Sequence, residues 1–542
     1  MVRAHLGARF PLRVMPETVY LVGAGPGDPG LLTVKGRELL QRADVVVYDH
    51  LASDRLLAWC RPGAKRMYAG KQKGRHAYSQ PALNRLLIRE ARAGRMVVRL
   101  KGGDPFLFGR GGEEALALRQ ARVPYEVVPG VTSAIAVPAY AGIPVTHRGA
   151  ASSVAIVTGH ENPDKPGTQL RWSHLATATD TLVCLMGLST LRATTAALLQ
   201  HGRAPATPAA VISWGTDPRQ RTVVGTLRTI VKACEAIRVT APAILVVGDV
   251  VRLRRRLAWV ERRPLQGRRI LVTRPADRAA DLARRLEELG AEVVTIPTIE
   301  LAPAASASAF RNALQDMKQF EWVVFTSPEG IEWFQRLAAP LRKDVRALAG
   351  RHLAAIGPKT AASLRARGLH VDVVPQVFSQ EGLIAAFGRR RVRGRRALLL
   401  NAQEARDVLE HGLRALGMDA VRVPLYRTIV PARLRQQLRE AFAPASRAPR
   451  HRRGGRGRRD VATKGLHKPV DVVTVTSAMC VEHLAQGLRA ARLPGPARRL
   501  ACVSIGPVTS AAVRRHGGRV AAEAKTASMD GLVDAMLRWA RR

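Results

Sequence analysis

Residues 97–114 read VVRLKGGDPFLFGRGGEE, and the fold of the first half of the chain turns on them. A strand-like run from Val97 to Leu100, with Arg99 in it, enters a glycine turn at Gly102-Gly103-Asp104-Pro105. A further group of glycines follows at Gly109, Gly111 and Gly112. Glycine has no Cβ, so several at one strand end let the backbone press against a ligand as well as turn. Upstream, VYLVGAG from Val19 reads as a buried strand ending in Gly23-Ala24-Gly25-Pro26-Gly27-Asp28. LLTVKGRELLQRA then has helical spacing, and ADVVVYD (Ala43–Asp49) is a second strand. A strand, a glycine turn, a helix and an acidic residue about 20 positions on nearly reproduce the dinucleotide fingerprint. Two details depart from it. Asp28 stands at the third glycine position, and Pro26 lacks the N–H that a pyrophosphate would take. A nicotinamide-dependent oxidoreductase therefore remains the second reading.

Composition narrows the class. The chain has 542 residues, 46% apolar and 24% charged, enough for several cores and too apolar for wholesale disorder. No apolar run reaches the roughly 18 residues of a membrane span, so no membrane partner is expected. Cys60, Cys184, Cys234, Cys480 and Cys502 form no CxxC pair, and no HExxH occurs. Neither a disulfide framework nor a metal site is expected, and a reducing, cytoplasmic compartment is. The net charge of +45 raises nucleic acid as a partner. However, the arginines are dispersed and only 4% of residues are aromatic, which disfavours a stacking platform. A polyanionic small substrate explains part of the charge. Residues 1–17 carry arginines and no acid before Glu17, and read as a disordered leader or a start upstream of Met15.

Further glycine-rich or strand-like segments follow in VVPGVTSA (Val127–Ala134), YAGIPVTHR (Tyr140–Arg148), SVAIVTGH (Ser153–His160), TLVCLMGL (Thr181–Leu188), VISWGTDPRQ (Val211–Gln220) and APAILVVGDVV (Ala241–Val251). In order and wording they resemble uroporphyrinogen-III C-methyltransferase, of the tetrapyrrole methylase family, from about Val19 to Val260. The resemblance implies two α/β subdomains with S-adenosylmethionine in the cleft between them. It implies a donor pocket lined by Pro26, Gly102, Gly103, Asp104, Leu107, Thr132, Ser133, Met186 and Gly215. It also implies Asp49 as proton acceptor, Lys71 as proton donor, and a homodimer through this half. Arg99, Arg110 and Arg148 are candidates to pair with substrate acetate and propionate groups, because a guanidinium fork matches a carboxylate. A methylase acting on another corrinoid precursor, with an inactive second half, is a further alternative.

The methylase domain spans 18–262, a basic linker broken by Pro264 and Gly267 covers 263–268, and a new strand opens at Ile270. The remainder, 269–542, repeats itself. Arg269–Leu301 is echoed by Ala397–Thr428, aligning Gly290 with Gly417 and Pro297 with Pro424, a spacing of 127. VVFTS (Val323–Ser327) recurs as VTVTS (Val473–Ser477) at 150, and IGPKT (Ile356–Thr360) as IGPVT (Ile505–Thr509) at 149. Glu381-Gly382-Leu383 recurs as Asp530-Gly531-Leu532, again at 149. Near-constant spacings mean a duplication, and each copy reads as a doubly wound α/β lobe. Thr326, Ser327, Thr360, Thr476, Ser477 and Thr509 follow apolar strands and precede helices, where ligands of open α/β sheets gather and helix N-termini favour anions.

From about Gly267 onward the arrangement resembles uroporphyrinogen-III synthase, whose two lobes close over an acidic linear tetrapyrrole. That implies a chain crossing between lobes, with 269–301 and 431–542 in one and 302–430 in the other. The implied reaction closes hydroxymethylbilane with inversion of its last ring, and Tyr426 matches the family's acid candidate for the departing hydroxyl. A basic insertion, 443–469, has no hydrophobic period and reads as disordered. The two halves would perform consecutive steps, the second half making uroporphyrinogen III and the first methylating it twice to precorrin-2, on the sirohaem or cobalamin branch. No segment is assigned to a later dehydrogenase or chelatase.

Overall fold

The computed structural model describes residues 16–70, 78–160, 168–304, 307–442, 469–493 and 500–542. Lys71, the leader through residue 15 and insertion residues 443–468 lie outside them. Four five-stranded sheets, two in each half, carry the architecture. The first comprises β1 (Val19–Gly23), β2 (Val45–Tyr48), β3 (Lys65–Tyr68), β4 (Val97–Lys101) and β5 (Tyr125–Val128) in the order β3-β2-β4-β1-β5, all parallel. Its central strands are almost wholly buried, so β2 reads as a Val run, and in β4 even Arg99 and Lys101 are enclosed. The second holds β6 (Val154–Thr158), β7 (Thr181–Leu185), β8 (Pro208–Ser213), β9 (Arg221–Thr226) and β10 (Ala243–Val247). Its order is β6-β7-β10-β8-β9, mostly antiparallel, with only β6 and β7 side by side in parallel.

The second half opens with β11 (Arg269–Val272) and β12 (Glu292–Thr295) and then crosses away. The second lobe contributes β13 (Glu300–Pro303), β14 (Trp322–Phe325), β15 (His352–Ala355), β16 (Arg396–Ala402) and β17 (Asp419–Ile429). The chain returns for β18 (Val472–Val475), β19 (Ala501–Ser504) and β20 (Arg519–Glu523). The sheets run β12-β11-β18-β19-β20 and β13-β17-β16-β14-β15. β17-β16-β14-β15 repeats the order β12-β11-β18-β19, and Val373, bridged in parallel to Ala354, stands where β20 would. This explains the two repeat spacings. The chain enters the second lobe at the strand equivalent to β18, so β11 and β12 recur later, as β16 and β17.

One boundary moves. Glu300 and Leu301, read from sequence into the first lobe, pair antiparallel with Ile429 and Thr428 in the second. The crossing therefore falls before Glu300, because β13 gains its hydrogen bonds from the free edge of β17.

The 263–268 segment is not a loose tether. Leu265 is fully buried in the first lobe's core with Ile270, Val272 and Leu286. Gln266 Nε2 donates to the Pro218 carbonyl of the first half at 3.0 Å. Arg55 also pairs across the halves with Glu287, on the helix Ala276–Glu288. Burial lifts the Glu287 carboxyl to about 7; Arg55 opposes the shift, while Asp28, Asp217 and Glu288 add to it. The folded protein then holds this proton more tightly than the unfolded chain, so the associated stability is full below the ordinary value of 4.5 and is lost as pH rises through about 7. Between pH 5.5 and 8 the thermal midpoint should therefore fall more in the parent than in Glu287→Gln. Equal slopes in a calorimetric pH series would remove this group from the interface account.

Candidate active site

The methylase cleft is built where strand-end loops of the two subdomains meet. Gly25 and Gly103 form a two-way backbone bridge, the Gly103 N–H donating to Gly25 O at 2.8 Å. A Cβ on Gly23 would stand 2.7 Å from Gly103 O, and one on Gly130 would stand 2.6 Å from Gly23 Cα. Three loops, after β1, β4 and β5, are thus packed backbone to backbone, which only glycine allows. At Gly103 itself the φ is +67°, and the nearest atom to a Cβ is Ser133 N at 3.9 Å. This open cradle fits a ligand that lies against bare backbone.

The loops are then fixed. Asp104 accepts from Phe106 N (2.8 Å), Leu107 N (3.1 Å) and Gly130 N (2.9 Å), so its carboxylate holds the turn together. Thr132 caps the helix Ser133–Tyr140 by accepting from Ala134 N. That helix packs through Val137 against the space beside Gly215, where a Cβ would collide. Across the cleft, Asp28 N donates to Thr216 Oγ1 at 3.2 Å, and the Tyr140 hydroxyl donates to Asp28 Oδ2 at 2.8 Å. Asp28, the residue that spoils the dinucleotide fingerprint, joins the two subdomains instead.

Backbone strain marks the same region. Phe108, Arg110, Met186, Trp214 and Thr216 have φ between 51° and 67°. The other non-glycine residues in that region, Arg122, Arg238, Arg342 and Arg492, follow helix ends, where a left-handed residue is ordinary. The cleft positions have no such excuse, and each costs on the order of 1–3 kcal/mol that the surrounding loops must offset. Met186, half-exposed beyond β7, belongs to this set. Pro26 and Gly102 lie in the loops just described, and Leu107 packs on the second subdomain's core.

Behind the cleft lies a charge network that no motif announced. Asp49, just past β2, accepts from Leu51 N at 3.1 Å and from Arg99 Nη2 at 3.0 Å. Arg99 is 4% exposed. It also donates to Glu114 Oε1 and to the Val47 and Leu100 carbonyls. Lys101 Nζ meets the same Glu114 oxygen at 2.9 Å, and burial, followed by the Arg99 charge, holds that amine below its usual range. Arg99 is therefore not available to substrate carboxylates, a correction to the sequence reading: four acceptors and full burial commit it. Arg110 is exposed and paired in a fork with Glu113, and Arg148 is exposed.

In the second half, the repeated hydroxyls divide into two groups. Ser327 and Ser477 are the N-caps of Pro328–Ala338 and Ala478–Ala490, accepting from Gly330 N (3.1 Å) and Cys480 N (3.2 Å). Thr326 and Thr476 precede them, half-buried at the strand ends. Thr360 and Thr509 are 2% and 4% exposed, inside the first turns of Pro358–Arg365 and Pro507–Arg515. Their own burial closes both hydroxyls to a ligand, and the N-caps of these helices are Gly357 and Gly506, which have no side chain to offer. Ser379 and Ser528 form a third capping pair that was not anticipated. The glycines of the repeated triplets, Gly382 and Gly531, are required because a Cβ would strike the Val377 or Thr526 carbonyl.

The Tyr426 hydroxyl lies 2.9 Å from Ser327 Oγ, with its ring stacked on Trp333. Burial pushes the phenol up, more than the bond to Ser327 lowers it, so it keeps its proton at neutral pH. Two residues past Ser327, Glu329 pairs with Arg278 of the other lobe. Among the described residues no group of three or more His, Cys, Asp or Glu side chains is placed to hold a metal, and no helix is long and apolar enough to cross a membrane.

Comparison with known proteins follows this division. Residues 18–231 match the Tetrapyrrole (Corrin/Porphyrin) Methylases, and residues 280–534 match Uroporphyrinogen-III synthase HemD. A porphyrin biosynthesis protein HemD from Ruminiclostridium josui is 35% identical over 522 residues, covering 96% of this chain and 97% of that protein. The chain belongs to this fused methylase–synthase family. For a uroporphyrinogen-III C-methyltransferase of Bacillus subtilis, identity is 42% over 366 residues, covering 68% of this chain and 74% of that protein. An S-adenosyl-L-methionine-dependent uroporphyrinogen III methyltransferase of Methanosarcina barkeri is 53% identical over 235 residues, 43% of this chain and 92% of that protein. The methylase half is thus similar to stand-alone enzymes, and the fused order recurs over a whole relative.

Proposed function

We propose that the chain is a bifunctional tetrapyrrole enzyme, closing hydroxymethylbilane to uroporphyrinogen III and methylating that product twice to precorrin-2. The observation that carries the first half is the glycine cradle at Gly23, Gly103 and Gly130, tied across the cleft by Asp28 and Thr216. S-adenosylmethionine, when bound there, supplies an electrophilic methyl group. The protein's task is to hold a pyrrole carbon in line with it, which leaves little covalent work for side chains. The methylated carbon becomes quaternary, so the positive charge it brings is discharged by loss of a proton from elsewhere on the macrocycle, and Asp49, paired with Arg99, is the acceptor for that proton. Lys71 is the proton donor implied by the family resemblance. Exposed Arg110, forked to Glu113, and exposed Arg148 remain the candidates to meet acetate and propionate groups.

In the synthase half Tyr426 gives a proton to the departing hydroxyl, which leaves as water. The bilane carbon left electron-poor is then attacked by the substituted α-carbon of the last ring, giving a spiro intermediate; that ring's original bridge bond breaks and re-forms at its free α-carbon, which loses its proton. Tyr426→Phe keeps the stack on Trp333 and loses the acid, so the ring-closure rate should fall by about 10²-fold with KM little changed. An unaltered rate in a stopped assay of uroporphyrinogen III would assign that proton elsewhere. A homodimer through the methylase half and a cytoplasmic location accompany this reading, the latter supported by five unpaired cysteines. Purified protein given hydroxymethylbilane should yield uroporphyrinogen III without donor and a product two methyl groups heavier with it. Only the type I isomer would overturn the synthase assignment; ring closure without methyl addition would overturn the other.

A further inference from the structure

The segment Arg389–Arg396, RRRVRGRR, holds six arginines at the end of β16 opposite to Tyr426. Seven strand residues place the two ends about 20 Å apart, so this is not the synthase cleft. Two of the six are neutralised, Arg395 by Glu321 and Arg396 by Asp419. Arg390 donates to the Asp372 carbonyl and lies over the Trp322 ring. Arg391 and Arg393 make no hydrogen bond or ion pair among the described residues.

The backbone that carries these two side chains is fixed by the chain itself. They flank Val392, which is 4% exposed and anchored in the core with Trp322, Phe387 and Leu413. Val392 to Arg395 is a hydrogen-bonded turn, Arg395 N to Val392 O at 3.1 Å, with Gly394 at its third position and φ +78°. Gly394 N is pinned in turn to Gly417 O at 2.7 Å. The turn leaves a cavity of about 320 Å³, lined by Arg390, Arg391, Arg393 and Arg395 with no acidic side chain on its wall. Two neighbouring helices, Gln380–Gly388 and Val408–Ala415, end beside it, and their carbonyl ends account for some attraction of cations. They do not account for two unpaired arginines, Arg391 and Arg393, on the wall of one depression.

We propose that this cavity is a second, non-catalytic site that binds a compact multivalent anion, either an oligophosphate or a small polycarboxylate. The volume suits an anion of that size, far smaller than the tetrapyrrole substrates. Guanidinium forks match the planar or tetrahedral oxygens of both classes, and the fixed turn spares the cost of ordering the backbone that carries them. The groups remain exposed, so binding is moderate and salt-dependent.

The test is calorimetric titration of the full chain with tripolyphosphate and, separately, citrate at 0.15 M salt. The expected result is saturable one-to-one binding of at least one of them, weakened at least tenfold in Arg391→Gln/Arg393→Gln. A control, Arg119→Gln/Arg228→Gln, removes the same charge from other exposed positions and should bind as the parent does. The arm that saturates more tightly identifies phosphate or carboxylate as the ligand chemistry. Unchanged binding in the double variant, equal weakening in the control, or binding only of a long RNA would each overturn the proposal. Thermal midpoints within a degree or two of the parent's establish that the exposed substitutions leave the fold intact.

Discussion

Asp49→Asn should lower the methylation rate by about 10²- to 10⁴-fold while leaving donor affinity and ring closure unchanged. The substitution keeps the shape and the hydrogen bond from Leu51 N, but removes the charge opposite Arg99. A kcat loss with constant KM for the donor is what removal of a base predicts, since the donor cradle is formed by other loops. An unchanged kcat would exclude Asp49 as the proton acceptor. The companion change is Arg99→Lys rather than an uncharged residue. Stripping the cation altogether would leave buried Glu114 with Lys101 as its remaining close cation, and breaking a buried pair costs about 3–5 kcal/mol. Lysine keeps the charge and loses the fork that reaches Asp49 and Glu114 together. A kcat decrease without loss of donor binding is the expected signature of a residue that positions the base.

Gly130→Ala should raise the donor KM by about 10- to 100-fold, the equivalent of the 1–3 kcal/mol that overpacking commonly costs. The added Cβ would meet Gly23 Cα at 2.6 Å and the Gly103 carbonyl closer still, all backbone atoms that cannot rotate away. Either the β1 or the β4 loop must retreat, and both form the cradle. Gly112→Ala is the matched control, because nothing lies within 4 Å of its Cβ and alanine favours the helix it occupies. Ring closure in the other half should be untouched by both. A wild-type donor KM in Gly130→Ala would mean that the packed loops tolerate separation and that the cradle lies elsewhere.

Much of this protein was readable one residue at a time. The Val-rich parallel strands announce themselves because both faces are buried, and the glycines at their ends because backbone meets backbone there. The duplication was visible as recurring segments, since each copy must supply the same strand ends, caps and glycines. Asp49 and Tyr426 came from family resemblance, and their surroundings did not. Arg99 illustrates why: a lone arginine on a strand looks like a ligand for carboxylates until its neighbours are known. Its partners Asp49 and Glu114 lie 50 and 15 residues away in the chain, and no local pattern links them. The burial of Thr360 and Thr509 was illegible for the same reason, because a hydroxyl one turn into a helix can be buried or exposed with the same sequence around it.

Family resemblance supplied the methylase and synthase readings; the residues themselves determined the α/β class, the duplication of the second half, and the positions where backbone must be bare. These follow from short-range rules: strand periodicity, glycine's missing Cβ, and spacing between repeats. Only the tertiary structure decided that Asp28 bridges the subdomains, that Leu265 and Gln266 strap the halves together, and that the chain enters its second lobe at the third strand of the repeat. It also decided which arginines are spent and which remain open around the Arg391–Arg393 turn. Burial and charge pairing depend on residues far apart in sequence, so they are settled by folding rather than by any segment's own composition.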